Sequence, residues 1–155
     1  MPPDKPKPSL RVQVLKLLAR RELTRAELEA RLSGEEVDPD ELAAVLDDFS
    51  KRGWISETRV VEQVTHHRRS RYGSRRILQE LEQKGVSDAA MSEARETLKA
   101  GDLDAAQAIW RRKFRAPPAD ANERARQVRF LQGRGFSLDL CMRVVREAGE
   151  AADDE

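Results

Sequence analysis

The sequence predicts an all-α protein of three tandem three-helix (helix-turn-helix-like) modules, forming an elongated, curved molecule. Three observations predict it. Ala, Leu, Glu and Arg dominate the middle of the chain, and these are strong helix formers. Apolar residues recur at helical spacing between capping residues, without the sustained alternation of a strand. A weak internal repeat divides the 155 residues into three similar units.

The repeat is a Leu placed five residues before a Val or Phe, followed by a helix-capping residue. Its copies are Leu32–Val37–Asp38, Leu81–Val86–Ser87 and Leu131–Phe136–Ser137. Five residues further stand Leu42, Met91 and Cys141, all apolar. The Leu anchors lie 49 and 50 residues apart. The last two copies share a linker form, Lys84-Gly85-Val86-Ser87 and Arg134-Gly135-Phe136-Ser137.

The first module is expected over residues 10–55. Leu15 and Leu18 mark a helix over roughly 10–21. Thr24 and Glu27 form a capping box for a second helix carrying Leu28 and Leu32. Asp38 caps a third, with Pro39 at its first position, where the missing N–H costs nothing. Leu42, Val45, Leu46 and Phe49 follow at helical spacing, and Gly53 stops the helix.

The second module, over 56–100, opens at Ser56 with Val60, Val61 and Val64 as its stripe. Tyr72-Gly73 breaks the chain. Ile77, Leu78 and Leu81 line the next helix, and Gly85 ends it. Ser87 opens a helix with Met91, Ala94 and Leu98.

The third module, over 101–148, is expected to start at Asp102 after a stop at Gly101. Leu103, Ala106, Trp110 and Phe114 share a face, which Pro117 and Pro118 end. Ala125, Val128 and Leu131 form the next stripe, and Ser137 opens the last helix. The expectation is nine helices in three sets of three, between a leader over 1–9 and an acidic tail over 149–155. Short helices cannot each bury a face alone, so neighbouring units must stack. Extended bodies of this kind suit binding to other macromolecules.

Net charge is only +1, but the charges are segregated. From Glu27 to Asp48 only Arg31 opposes the acids. From Arg68 to Arg76 every charge is positive, and Arg111, Arg112, Lys113 and Arg115 form a second basic run. Arg124, Arg126, Arg129 and Arg134 continue it. Such segregation points to a polar, anionic partner surface.

Catalytic and metal-binding patterns are not found. His66 and His67 are adjacent, so on a helix they point about 100° apart and cannot share one metal. The glycines are isolated stops rather than a phosphate loop. Ser70 and Ser74 lack an evident carboxylate to orient a base. No enzyme activity and no cofactor are expected. Cys141, among Leu138, Leu140, Met142 and Val145, reads as a buried thiol without a disulfide partner. The leader MPPDKPKPS reads as disordered and has no signal-peptide core. No stretch approaches the ~20 apolar residues of a membrane span. A cytoplasmic, monomeric protein is expected.

Residues 52–87, RGWISETRVVEQVTHHRRSRYGSRRILQELEQKGVS, resemble the central signature of the RecX family. Gly53, Trp54, Ile55, Arg59, Tyr72, Gly73, Arg76, Ile77, Leu81, Lys84, Gly85 and Val86 carry that resemblance. LLARRELTRAELEARL resembles the family's opening and RQVRFLQGRGFS its third module. The chain departs from the pattern at Ser56 (usually acidic or Asn), at Val60-Val61 (often aromatic–Ala) and at Ser74 (often Pro). The resemblance implies three tandem three-helix modules without a cofactor. It also implies a regulator that binds the RecA nucleoprotein filament on single-stranded DNA and lies in its groove. There it would restrain filament growth, ATP hydrolysis and strand exchange.

Guanidinium groups pair well with both carboxylates and phosphates. The partner-binding candidates are therefore Arg68, Arg69, Arg71, Tyr72, Arg75 and Arg76, with Arg111, Arg112, Arg115, Arg126 and Arg129. Weak direct contact with nucleic acid is a secondary expectation. Tyr72 also reads as a core residue with its hydroxyl at the edge, and Phe130 as inter-module packing or an exposed anchor. Two other readings are a helix-turn-helix DNA-binding regulator and a helical scaffold for another protein. The first needs a two-stranded wing after Ile55, where helical spacing resumes at once.

Circular dichroism is expected to show a mostly helical protein, and solution scattering an elongated particle. Substantial sheet content, or a sphere-like profile, contradicts the tandem-module prediction.

Overall fold

A computed structural model describes residues 7–154, among which there are eight helices and no strand. The first module contains α1 (Leu10–Arg20), α2 (Arg25–Leu32) and α3 (Pro39–Lys51). The second contains α4 (Glu57–Arg68), α5 (Ser74–Gln83) and the first part of α6 (Asp88–Lys113). The rest of α6 joins α7 (Ala121–Gly133) and α8 (Leu138–Asp153) in the third.

The helix starts follow the capping chemistry. Glu27 N–H donates to Thr24 Oγ1 at 3.0 Å while Thr24 N–H donates to Glu27 Oε1 at 3.1 Å. Asp38, Ser56, Ser87 and Ser137 each accept a backbone N–H of the turn they open. Every module then closes on its own apolar cluster. Val14, Leu28, Leu46 and Phe49 centre the first, Val60, Ile77 and Leu81 the second, and Leu131, Phe136 and Cys141 the third. The repeat anchors Leu81–Val86–Met91 and Leu131–Phe136–Cys141 are all core residues.

The structure corrects several expectations. There are eight helices rather than nine, because α6 runs without a break through Gly101. A glycine inside a helix costs only about 1 kcal/mol, and buried Leu98 and Asp102 hold the helix on either side. Gly101 makes room for a side chain: a β-carbon there would lie 2.9 Å from Arg69 Nη2. Leu15 is 44% exposed, and Val14 takes the inward position of α1 instead. Ala125 is exposed, while Gln127 is buried in α7 and accepts from Trp110 Nε1 at 2.9 Å. Helix α8 continues through most of the acidic stretch to Asp153, supported by the pairs Arg143–Glu147 and Arg146–Glu150. Most of the expected leader, residues 1–6, and Glu155 lie outside the described residues.

Two joints connect the modules, and they share one plan. The start of the middle helix in one module receives the loop that follows the middle helix of the next. At the first joint Thr24 Oγ1 donates to the Lys84 carbonyl at 2.5 Å, and Lys84 Nζ lies 3.4 Å from Glu27. Arg59 reaches back to Glu22 at 2.9 Å. At the second joint Gly73 N–H donates to the Arg134 carbonyl at 2.8 Å and Arg75 N–H to the Gly135 carbonyl at 3.1 Å. Gly135, at φ 102°, approaches so closely that a β-carbon would lie 2.9 Å from the Arg76 nitrogen. The linkers singled out by the repeat are thus the docking loops. The exposed area, 10691 Å², exceeds the about 7900 Å² expected of a compact protein of this mass, as an extended row of modules requires.

One buried carboxylate ties the second joint. Asp102, 7% exposed, accepts from Ser74 Oγ at 2.5 Å, Arg69 Nη1 at 2.7 Å and Ser74 N–H at 3.0 Å. Arg69 Nη2 also donates to the Leu98 carbonyl at 2.5 Å. Asp102→Ala leaves a half-buried guanidinium and a buried N–H without their acceptor. It is expected to destabilise by on the order of 3 kcal/mol, measured by chemical denaturation. A midpoint unchanged from the parent contradicts this role.

Burial pushes the Cys141 thiol up to about 11 from an ordinary 9.0. Because the folded value is the higher, the thiol's contribution to stability is intact below about pH 9 and lost as pH rises through about 11. The native protein is expected to resist a thiol reagent at neutral pH and to react stoichiometrically once unfolded. Rapid labelling of the native protein contradicts this burial.

Candidate functional site

The second joint gathers cations around two aromatic rings. Tyr72 is half-buried between α4 and α5. The Arg76 guanidinium lies 4.8 Å from its ring centroid, and that of Arg134 lies 5.7 Å away. Arg134 is also 5.0 Å from the Phe130 ring, and Lys113 Nζ is 5.3 Å from the same ring. Phe114 packs edge-on against Phe130, with centroids 5.4 Å apart. The sequence Arg76, Tyr72, Arg134, Phe130, Lys113 is therefore an alternating chain of cations and rings. Each contact is attractive through the ring quadrupole.

A cleft of about 430 Å³ opens beside this chain, lined by Ser70, Arg71, Tyr72, Ile109, Arg112, Lys113, Phe130 and Arg134. Its lining contains four cations and no carboxylate. Arg112 donates to the Ser70 carbonyl, which fixes the C-terminal turn of α6 against the end of α4.

The remaining candidates have different surroundings. Arg68 is exposed but pairs with Glu80 at 3.1 Å, and the hydrogen bonds it donates to that carboxylate raise its pKa further. Arg69 sits inside the joint, held by Asp102, rather than on the surface. The Arg75 side chain is exposed beside the joint, and Arg76 donates to the Gly133 carbonyl at 3.1 Å. Arg111 borders a separate groove with Trp110, Val144 and Glu147. Arg115, Arg126 and Arg129 are exposed outside the cleft lining. Tyr72 is both an edge-of-core residue and a cation holder, and Phe130 packs half-buried against the third module's own core while holding cations. Sequence reasoning did not single out Arg134 or Lys113 as site residues. Both were visible in the second basic run, and Arg134 also in the repeated linker, but neither stood out from its neighbours.

The surroundings of α3 bear on the helix-turn-helix reading. Ser56 caps α4 directly after Ile55, so the strands of a wing are absent among the described residues. The start of α3 carries Asp38, Asp40 and Glu41, which repel phosphate. Among the described residues no group of three or more His, Cys, Asp or Glu converges as a metal site. Among the described residues no helix is long and apolar enough to cross a membrane.

A row of three-helix modules, docked loop to helix and carrying a cation–aromatic chain at one joint, defines a class of tandem-module helical proteins. Comparison with known proteins agrees domain by domain. Residues 11–49, 56–94 and 101–145 match the first, second and third three-helix domains of RecX. The chain is 46% identical over 155 residues to "Regulatory protein RecX" of Leptothrix cholodnii, covering 100% of this chain and 99% of that one. It is 42% identical over 146 residues to its counterpart in Ralstonia nicotianae, covering 94% and 92%. The crystal structure of RecX from Lactobacillus salivarius has the same fold, with a TM-score of 0.76 at 17% identity over 90% of this chain and 94% of that one. This chain belongs to the RecX family of regulatory proteins.

Proposed function

We propose that the protein binds the RecA recombinase filament on single-stranded DNA as a monomer and restrains filament growth, ATP hydrolysis and strand exchange. The observation that carries this reading is the set of exposed cations crossing the second joint of an extended, family-matched scaffold. A nucleoprotein groove presents acidic protein surface and DNA backbone together, and guanidinium groups suit both. One solvated contact contributes about 1 kcal/mol or less. Several together shift an affinity by powers of ten, since ~1.4 kcal/mol is tenfold. Screening makes such binding weaken as salt rises.

Cosedimentation with recombinase filaments on single-stranded DNA, paired with their ATPase rate, tests the reading. Reversing Arg71, Arg75 and Arg112 to Glu is expected to abolish inhibition while the helical spectrum persists. All three side chains are exposed, and none pairs with a described carboxylate. Arg69 is left intact because a reversed charge there would face Asp102. A triple variant that inhibits as well as the parent at moderate salt removes this surface from the interface. A parent protein that ignores filaments overturns the reading itself.

A further inference from the structure

We propose that the cleft at the second joint seats the phosphodiester backbone of single-stranded nucleic acid, without reading its bases. The inference rests on the filament reading only for where such a strand is met. About half of the arginines elsewhere in the molecule are paired with carboxylates, and the other half are spread singly or in twos over the surface. Arg25 pairs with Glu29 and Asp47, Arg52 with Asp48, Arg59 with Glu22, Arg68 with Glu80 and Arg69 with Asp102. Arg71, Arg112, Lys113 and Arg134 line one cleft, and none of them pairs with a described carboxylate. Four like charges held together without counter-charge repel one another, and an anion relieves that repulsion.

The aromatic rings explain how the charges are held. Tyr72 and Phe130 both hold Arg134, and Phe130 also holds Lys113. Side chains ordered before binding lose less freedom on binding. The same contacts decide what is recognised. Tyr72 already carries Arg76 and Arg134, and Phe130 already carries Arg134 and Lys113. Neither ring is free to act as a stacking platform for a base. The remaining chemistry is cationic, which positions a backbone and carries no sequence information. A uniformly charged strand also releases counterions as each phosphate is neutralised, an advantage that a scattered acidic protein surface lacks.

Fluorescence anisotropy with a labelled oligothymidylate, repeated over a salt series, tests the cleft in the full-length protein. Two cleft pairs are changed separately, Lys113→Gln with Arg134→Gln and Arg71→Gln with Arg112→Gln, so that misfolding of one leaves the other informative. Arg20→Gln with Arg31→Gln, both exposed and outside the cleft lining, is the control for charge elsewhere on the surface. Each cleft pair is expected to weaken binding roughly tenfold and to flatten the slope of log K against log salt by about 1.4, two phosphate contacts' worth. The control is expected to change affinity less than about threefold. Tyr72→Phe is expected to retain affinity and Tyr72→Leu to lose it, because only the former keeps a ring under Arg76 and Arg134. Mixed-sequence and thymidylate strands are expected to bind alike.

Parent-like affinity in both cleft pairs, or an equal loss in the control, overturns the proposal. Cosedimentation of the same variants with recombinase filaments separates the two readings. A parent that ignores filaments but binds the oligonucleotide through the cleft sinks the filament reading and leaves this one standing. Cleft variants that keep oligonucleotide affinity but lose filaments show that the cleft grips acidic protein instead, and this inference falls.

Discussion

The carboxylate of Asp102 is the point on which three helices meet. It sits on α6, receives Arg69 from the end of α4, and receives both the N–H and the hydroxyl of Ser74 at the start of α5. A buried carboxylate without partners is costly, and three donors offset that cost. Its position at the N-terminus of α5 adds a favourable interaction with the helix dipole. Arg69 and Ser74 bracket the loop that carries Arg71 and Tyr72, so the carboxylate also sets where the cation–aromatic chain begins. Gly101, one residue earlier, leaves the space that the Arg69 guanidinium enters.

The two joints use one plan with different reinforcement. At the first, a hydroxyl, a lysine, an arginine and two carboxylates make the link, and no helix is shared. At the second, backbone bonds from Gly73 and Arg75 to the Arg134 and Gly135 carbonyls act beside a common helix, α6, that belongs to both modules. Modules two and three are therefore bound through a covalent rod as well as through their surfaces. The cleft draws its walls from both of these modules, and its shape depends on the better-fastened joint.

Charge balance divides the molecule functionally. In the first module acids and arginines largely pair with one another, as in Arg25 with Asp47 and Arg11 with Asp48. Beside the cleft of the second joint, Arg76, Arg134 and Lys113 lie against rings without a described carboxylate partner, whereas Arg11 and Arg52 of the first module have both a ring and a carboxylate. A ring holds a guanidinium in place without cancelling its charge, so the cation remains able to attract an anion. This difference separates the arginines that build the protein from those that remain available to a partner.

Much of the fold was legible in the chain because it is local. Caps at Thr24, Asp38, Ser56, Ser87 and Ser137, the inward stripes and the positive-φ glycines at 53, 85 and 135 all depend on neighbours within a turn or two. The repeat in Leu, Gly and Val or Phe also marked the loops that dock the modules, although not what they dock against. The family resemblance, carried by contiguous motifs, was legible for the same reason.

The tertiary structure decided what each arginine does. Arg69 and Arg71 are two residues apart in one basic run, yet one is held by Asp102, 33 positions away, and the other lines an open cleft. Gly101 looked like a helix stop because its reason for being glycine, the Arg69 side chain, comes from another helix. Arg134 looked like a linker residue because the rings of Tyr72 and Phe130 approach it only after the joint closes. Local sequence determines backbone conformation through short-range bonds and sterics. Whether a charge is neutralised or left free depends on groups that only folding brings within a few ångströms.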